Sequence, residues 1–260
     1  MKNALAVFSL ALLVLAGSAS ATTVVVTGFP TYDDDGSDGF IAEPDANGLG
    51  AKAWLTDLSN ALPIVEFGQG PGTAPLGKGS LTVEIPGSGS KILFGPAILG
   101  IPLASLTRLE MDVYDHTGNG NYYLNIYLDT SADGNFDGSR DISFSASGAT
   151  VLNSWTTIDM MPMVESKLTT YPDAVISNNW DTAGGYPDIA VNLGDTASNF
   201  VDAKVSIDNL VIGYMDGQEE IVTIYDFEPA AAPVPEPATM LACAAGIGGL
   251  GGYIRRRRKA

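Results

Sequence analysis

The chain is short of the side chains on which most enzymes and metal centres are built. One cysteine, Cys243, and one histidine, His116, stand in 260 residues. Cys243 sits in an apolar stretch near the C-terminus, so the long segment before it has no thiol nucleophile, no disulfide and no cysteine-bound zinc. A single histidine rules out a histidine-rich zinc centre. A Ser-His-Asp triad would have to use His116, and no Gly-x-Ser-x-Gly elbow accompanies it. Neither a phosphate-cradling P-loop nor a dinucleotide fingerprint is present. His116 itself lies in Asp115-His116-Thr117-Gly118-Asn119-Gly120-Asn121, which reads as an exposed hairpin turn between two strands. The expected class is therefore not an enzyme. Carboxylate pairs for glycoside hydrolysis are the one open route, because 30 acidic residues supply many pairs, though nothing singles one out.

Positive charge is scarce as well. Of 13 basic residues six lie at the two ends: Lys2, Arg255, Arg256, Arg257, Arg258 and Lys259. The part between them has seven basic groups against all 30 acidic ones, a net charge of −23. Such a body repels nucleic acid and anionic lipid, which excludes nucleic acid as a partner, and it attracts divalent cations.

The two ends have compositions of their own. Lys2 is followed by an uncharged apolar run, Ala4 to Leu15, and then by Ala19-Ser20-Ala21, the small-x-small pattern of a signal-peptidase site. Residues 1–21 are expected to be a signal peptide, with Thr22 starting the mature chain. Leu15-Ala16-Gly17 approaches a lipobox, but Ser18 stands where a lipidated cysteine is required. At the other end, residues 229–237 form a proline-rich linker that can join neither helix nor sheet. Residues 238–260 are an apolar stretch, Ala238 to Ile254, followed by four arginines and a lysine. The apolar stretch is at the short end for a membrane helix. The arginines should stay on the cytoplasmic side, leaving the body outside.

Val234-Pro235-Glu236-Pro237, the apolar stretch and the terminal Arg255–Arg258 cluster together resemble the PEP-CTERM sorting domain of bacterial surface and exopolysaccharide-associated proteins. The resemblance covers the last 27 residues or so. It implies an exosortase (a membrane-embedded cysteine transpeptidase) as partner, transient anchoring in the inner membrane, cleavage near the Pro-Glu-Pro site, and delivery to the cell surface or extracellular matrix. An unprocessed single-span anchor is the competing reading of the same residues.

Residues 22–228 alternate short apolar segments, rich in β-branched and aromatic residues, with Gly, Pro, Asn and Asp clusters, the pattern of an all-β sandwich or barrel. Strands are predicted at Thr23–Thr27, Ile64–Phe67, Ser80–Ile85, Lys91–Phe94, Arg108–Tyr114, Tyr122–Asp129, Ile142–Ala146, Thr156–Met160, Ile189–Leu193 and Ala203–Tyr214. A two-turn helix is predicted from Val164 to Thr170, ended by Pro172. Val205-Ser206-Ile207-Asp208-Asn209-Leu210-Val211 and Ser154-Trp155-Thr156-Thr157-Ile158 resemble strands of jelly-roll domains related to carbohydrate-binding modules. That likeness implies a single antiparallel jelly-roll-like sandwich and carries no binding residue. Trp155 reads as a core residue.

Two features carry candidate chemistry. Asp133-Gly134-Asn135-Phe136-Asp137-Gly138-Ser139-Arg140-Asp141 places oxygen ligands at alternate positions with glycine at the sixth, as in the first half of a calcium loop. Phe144 stands where an EF-hand has its bidentate glutamate, and the flanks look like strands. The reading is a calcium-stapled β-hairpin loop using Asp133, Asn135, Asp137, Ser139 and Asp141, with Asp129 completing the shell. An ordinary Asp/Asn/Gly turn without metal explains the same residues. A second acidic loop, Asp33 to Gly39, reads as solvated. Sugar binding needs exposed aromatic platforms, and Trp180, set among Ser177-Asn178-Asn179 and Asp181, is the foremost candidate in a pool with Trp54, Trp155, Tyr122, Tyr123 and Tyr186. The functional expectation is an exported structural or adhesive surface protein. The alternatives are a carbohydrate-binding module that retains exopolysaccharide and, third, an extracellular hydrolase.

Overall fold

The computed structural model describes residues 20–28, 33–34, 39–42, 49–55, 63–85, 90–96, 100–118, 122–130, 140–145, 150–177, 188–194 and 203–230. The chain divides into two compact units, Met1–Pro229 and Ala230–Ala260. Of the second, only Ala230 is among the described residues.

In chain order the described strands are β1 (Ser20–Val26), β2 (Asp33–Asp34), β3 (Gly39–Ala42), β4 (Leu49–Leu55), β5 (Ile64–Gln69), β6 (Gly79–Ile85), β7 (Ser90–Pro96), β8 (Ile101–Pro102), β9 (Leu106–Asp115), β10 (Tyr122–Asp129), β11 (Arg140–Ser145), β12 (Trp155–Asp159), β13 (Val175–Ile176), β14 (Ile189–Gly194), β15 (Ala203–Asp216) and β16 (Glu219–Phe227). A 3-10 turn, Leu103–Ser105, and one helix, α1 (Met161–Leu168), complete them. The protein is all-β. Among the described residues no helix is long and apolar enough to cross a membrane. Of residues 1–21, expected as a signal peptide, only Ser20 and Ala21 are described, in β1 opposite Ile221 and Val222, and the stretch 238–254 expected as a sorting segment lies outside the described residues.

The strands form two sheets. The first contains β1, β5, β6, β9, β12, β15 and β16, and β15 is its spine. One edge of β15 pairs with β9, which in turn pairs with β12. The other edge is divided: Ala203–Ile207 pairs with β6, and Leu210–Asp216 pairs with β16. β6 and β16 therefore meet end to end along one side of a single long strand. The ladder from β15 to β9 shifts register between Asp208 and Val211, at this changeover, and Asn209 there adopts φ 50°, a left-handed conformation that asparagine tolerates better than most residues. β5 extends the sheet beyond β6, and β1 lies parallel to β16. In the second sheet the order is β2-β3-β4-β7-β14-β10-β13-β8, with β11 also paired to β10.

Alternation along each strand delivers one apolar row to the core. Leu81, Val83 and Ile85 of β6, Leu109, Met111 and Val113 of β9, and Val205, Ile207, Leu210 and Ile212 of β15 come from the first sheet. Ile92 and Phe94 of β7, Leu124, Ile126 and Leu128 of β10, and Ile189, Val191 and Leu193 of β14 come from the second. All are buried in one cluster. Phe227, 0% exposed, joins the layers: its ring meets Phe94 edge-on at 5.7 Å and Phe67 at 6.4 Å. Tyr122 is buried among the same residues, and burial pushes its phenol up to about 12.

The ten predicted strands are present, with ends displaced by a few residues. The helix begins at Met161 rather than Val164, because Pro162 suits a first turn, where its missing N–H is not needed. Three expectations are corrected. Asp115 to Asn121 does not close a hairpin: β9 belongs to the first sheet and β10 to the second, so the segment leads from one layer to the other. Trp155 is half-buried on the outer face of the first sheet and is not a core residue. Six described strands, β2, β3, β4, β8, β13 and β16, go beyond the ten expected: β2 places Asp33 and Asp34 of the expected solvated loop in a ladder with β3, and Asp216-Gly217 before β16 is a hairpin signal, with Gly217 at the required positive φ of 63°.

Truncation of the ring that bridges the layers is expected to be costly. Phe227→Ala should destabilise the fold by about 3–5 kcal/mol, read as a lowered urea midpoint at unchanged slope. A loss below about 1 kcal/mol would contradict the bridging role.

Candidate functional site

The chemistry-bearing side chains gather on the outer face of the first sheet, where alternation exposes the polar half of each strand. Strand register sets Glu66, Thr82, Ser206, Tyr114 and Trp155 in one row across β5, β6, β15, β9 and β12. The next row holds Gly68, Ser80, Asp208, Asp112 and Thr157. A groove of about 190 Å³ opens on this face, lined by Glu66, Gly68, Gln69, Pro71, Thr82, His116 and Lys204.

His116 is not the exposed turn residue read from the sequence. It is half-buried, its Nε2 lies 2.8 Å from Ser206 Oγ, and Ser206 Oγ lies 2.7 Å from Thr82 Oγ1. Its ring packs against Tyr114 at 4.7 Å. The backbone fixes it there: His116 N donates to Lys204 O, and Asp115 Oδ1 accepts from the amides of Thr117 and Gly118. Burial pushes the imidazole down, the Lys204 ammonium pushes it further, and Asp115 opposes them, so the ring is neutral at pH 7. Ser206 is 0% exposed. A hydroxyl so enclosed cannot attack a substrate in the groove, and the Ser206–His116 pair is a structural bond. Lys204 pairs with Glu84 at 3.4 Å, both well exposed, a contact of little energetic weight.

The loop Gly70–Lys78, between β5 and β6, folds over the second row. No residue from Pro71 to Lys78 is buried, so hydrogen bonds hold it in place. Trp155 Nε1 donates to Pro71 O at 2.9 Å, Leu76 N to Asp208 Oδ2 at 3.0 Å and Lys78 N to Glu228 Oε1 at 2.6 Å. Gly77 has φ 62°, and a Cβ there would collide with Glu228 Oε1. A Cβ on Gly79 would strike the backbone of Phe227 and Glu228, because β6 starts where β16 ends. The run of glycines from Gly68 to Gly79 is the signal in the chain that marks this arrangement, and the sequence reading assigned it no site.

Asp208 sits under the loop at the changeover in β15. Its Oδ1 accepts from Asn209 N at 2.8 Å and Phe227 N at 3.3 Å, in addition to the Leu76 amide on Oδ2. Burial pushes this carboxyl up to about 6, against the pull of the three amides, and Asp226 adds to the push. Asp112 beside it is satisfied by Thr157 Oγ1 on one oxygen and by Asn209 Nδ2 at 2.8 Å on the other. Asp226, 8% exposed, has a buried Oδ1 with no hydrogen-bond partner. Burial and then Glu228 raise its carboxyl as well.

Of the proposed calcium ligands, Asp129 is buried at the end of β10, opposite Val175. Asp141 is the extra residue where the β10–β11 register shifts, since Ile126 pairs with Ile142 and Tyr127 with Arg140. Asp133, Asn135, Asp137 and Ser139 lie outside the described residues, as do Trp180, Tyr186, Val234–Pro237 and Arg255–Arg258. Among the described residues no group of three or more His, Cys, Asp or Glu is placed to hold a metal ion. Tyr122 is core, whereas Tyr123 is half-buried with Lys91 Nζ 4.9 Å from its ring centre. Tyr114 and Trp155 meet edge-on at 65° and do not form a flat platform.

Together these features define a two-sheet all-β body with one polar outer face. No protein-family profile matches the chain, and no curated protein matches it. Among solved structures it is similar to the enzymatically active domain of tailspike protein 4 of bacteriophage CBA120, with 15% identity and a TM-score of 0.39 over 66% of this chain. It is also similar to the glycoside hydrolase domain of Endo-D from Streptococcus pneumoniae R6, with 14% identity and a TM-score of 0.32 over 60% of this chain. The chain spans a fifth of the length of each.

Replacing the indole donor while keeping a ring tests the loop anchorage. Trp155→Phe should cost about 1 kcal/mol and speed proteolytic nicking between Gly70 and Lys78. Unchanged nicking would show that this bond does not secure the loop.

Proposed function

We propose that the chain is an exported surface or extracellular-matrix protein, sorted through its C-terminal tail by an exosortase, with a jelly-roll-like body in a structural or adhesive role. The observation that carries the reading is the ordered run of Val234-Pro235-Glu236-Pro237, an apolar stretch and Arg255–Arg258 at the end of a chain that opens with a signal-peptide pattern. Each part has a physical role. The prolines keep the junction extended, the apolar run enters the bilayer, and the arginines hold the end on the cytoplasmic side. The inner membrane is then a temporary station, and the acidic body faces outward.

The outer face offers a polar surface for contact. Among the described residues the groove is lined by one carboxylate, Glu66. The alternative, a module that retains exopolysaccharide, is favoured by the same groove, which offers hydroxyl, amide, ammonium and imidazole groups. The edge-on packing of Tyr114 and Trp155 speaks against sugar stacking there. Calcium in the β10–β11 loop belongs to this reading as the staple of a disulfide-free extracellular fold. It is supported by the antiparallel pairing of the flanking strands and by the burial of Asp129 next to the loop.

Mass spectrometry of the protein recovered from the cell surface tests the sorting. The C-terminus should fall near Pro235–Pro237, with the apolar stretch removed; only full-length chain in the membrane fraction would overturn processing. For calcium, chelation should lower the melting temperature, and Asp137→Ala should abolish the difference between chelated and calcium-loaded protein. Identical melting of the wild type with and without chelator would refute the staple.

A further inference from the structure

A strand that ends a sheet leaves half of its backbone donors and acceptors open, and it recruits a neighbour unless something blunts it. Among the described residues six strands have one partner: β1, β2, β5, β8, β11 and β12. All but β1 carry a blunting device. β2 is two aspartates, β8 is two residues long and ends in Pro102, β5 holds Glu66, β11 holds Arg140 and Asp141, and β12 holds Asp159. β1, Ser20-Ala21-Thr22-Thr23-Val24-Val25-Val26, has seven residues and neither a charge nor a proline.

The backbone of β1 opens on the side of Thr23 and Val25. Val26 O accepts from Glu228 N, so the N–H and C=O of Val24 and Val26 point to β16. Both groups of one residue point the same way and the direction alternates, which turns those of Thr23 and Val25 away from β16. The side chains alternate too. Val24 and Val26 face the core, whereas Thr23 and Val25 stand on the outer face, exposed, Val25 by 51%.

We propose that β1 pairs with β1 of a second copy, antiparallel about a twofold axis at Val24, and so joins the first sheets of two molecules into one. In that register Thr23 of each copy lies opposite Val25 of the other. These are the residues with open backbone groups, so both pairs are of the hydrogen-bonded kind. Their side chains share the outer face as β-branched cross-strand pairs. Val24 meets its own mate at the axis in a closely spaced, non-hydrogen-bonded pair.

Charge favours a second copy at this edge. Between its basic ends the body carries −23, so two copies repel each other over most of their surface. At β2, β5 or β12 a twofold pairing would bring acids of the two copies together. β1 brings none. The nearest outward carboxylate, Asp226 beside Val25, is buried and belongs to β16, on the side away from the contact. The contact is isologous, so it uses both open edges and closes on a dimer rather than a fibre. One strand pair is small, so the dimer is reversible. Because the axis is normal to the sheet, the two outer faces, each with its groove, look the same way. A surface protein would thereby present two sites to one polymer. The pairing itself does not rest on the sorting reading, since residues 23–25 follow the expected cleavage site.

Sedimentation velocity of the full chain in detergent, up to about 1 mM, reads the dimer. Val25→Pro removes an outward amide and no bond to β16, so it should raise the dimer dissociation constant about tenfold at an unchanged urea midpoint. Should the proline disturb the strand, Val25→Glu at the same exposed position should have the same effect by placing a carboxylate in the contact. In a Cys243→Ser background, Val24→Cys should form an intermolecular disulfide on oxidation, and Val25→Cys, set diagonally across the axis, should form far less. A chain that stays monomeric at every concentration, as when its own linker covers the edge, would overturn the pairing. So would a dimer indifferent to both Val25 variants, which puts the contact in the tail or on another face, or equal cross-linking at positions 24 and 25.

Discussion

One edge of β15 serves two strands, and the first sheet depends on that junction being closed. Where β6 gives way to β16, the ladder is interrupted and amides from three segments need other partners. Asp208 collects them: the Asn209 amide of the bulge, the Phe227 amide at the end of β16 and the Leu76 amide of the loop that leads into β6. A single carboxylate thus does locally what a ladder does elsewhere. Its burial is what makes it both necessary, since unpaired buried amides are costly, and strained, since a buried charge resists ionisation.

The rest of the outer face follows from this splice. The tight meeting of β6 and β16 leaves no room for a side chain at Gly79 and places Glu228 against Gly77. The loop before β6 is forced outward over the sheet, where it covers the acids and leaves the groove beside it. The opposite face of the same strands is conventional: alternation sends Leu81, Val205, Ile207 and Met111 inward, and Phe227 locks them to Phe94 of the other layer. Position 227 is therefore held from both sides, its amide by Asp208 and its ring by the core.

Much of the fold was legible in the residues. Short β-branched segments divided by Gly, Pro, Asn and Asp clusters located ten strands, because period-two burial writes itself directly into the chain. Layer membership was not legible. Asp115 to Asn121 has hairpin composition, yet it connects different sheets, because turn residues report a change of direction and not the partner reached. Trp155 looked like a core residue because it opens an apolar strand; its register opposite Tyr114 turns it outward. His116 looked exposed because turns usually are, and Ser206, ninety positions away, is what encloses it.

Composition and local order alone determined the class: all-β, acidic, with a single cysteine near the C-terminus and a single histidine, and bounded by two apolar segments flanked by basic residues. These properties are sums or short-range patterns, so they need no knowledge of partners. Only the tertiary structure decided which acids became chemically distinct. Thirty carboxylates look alike in the chain. Among the described residues the carboxyls of Asp208 and Asp226 are pushed up because long-range strand pairing buries each of them near a break in a sheet, and burial is not a local property of a sequence.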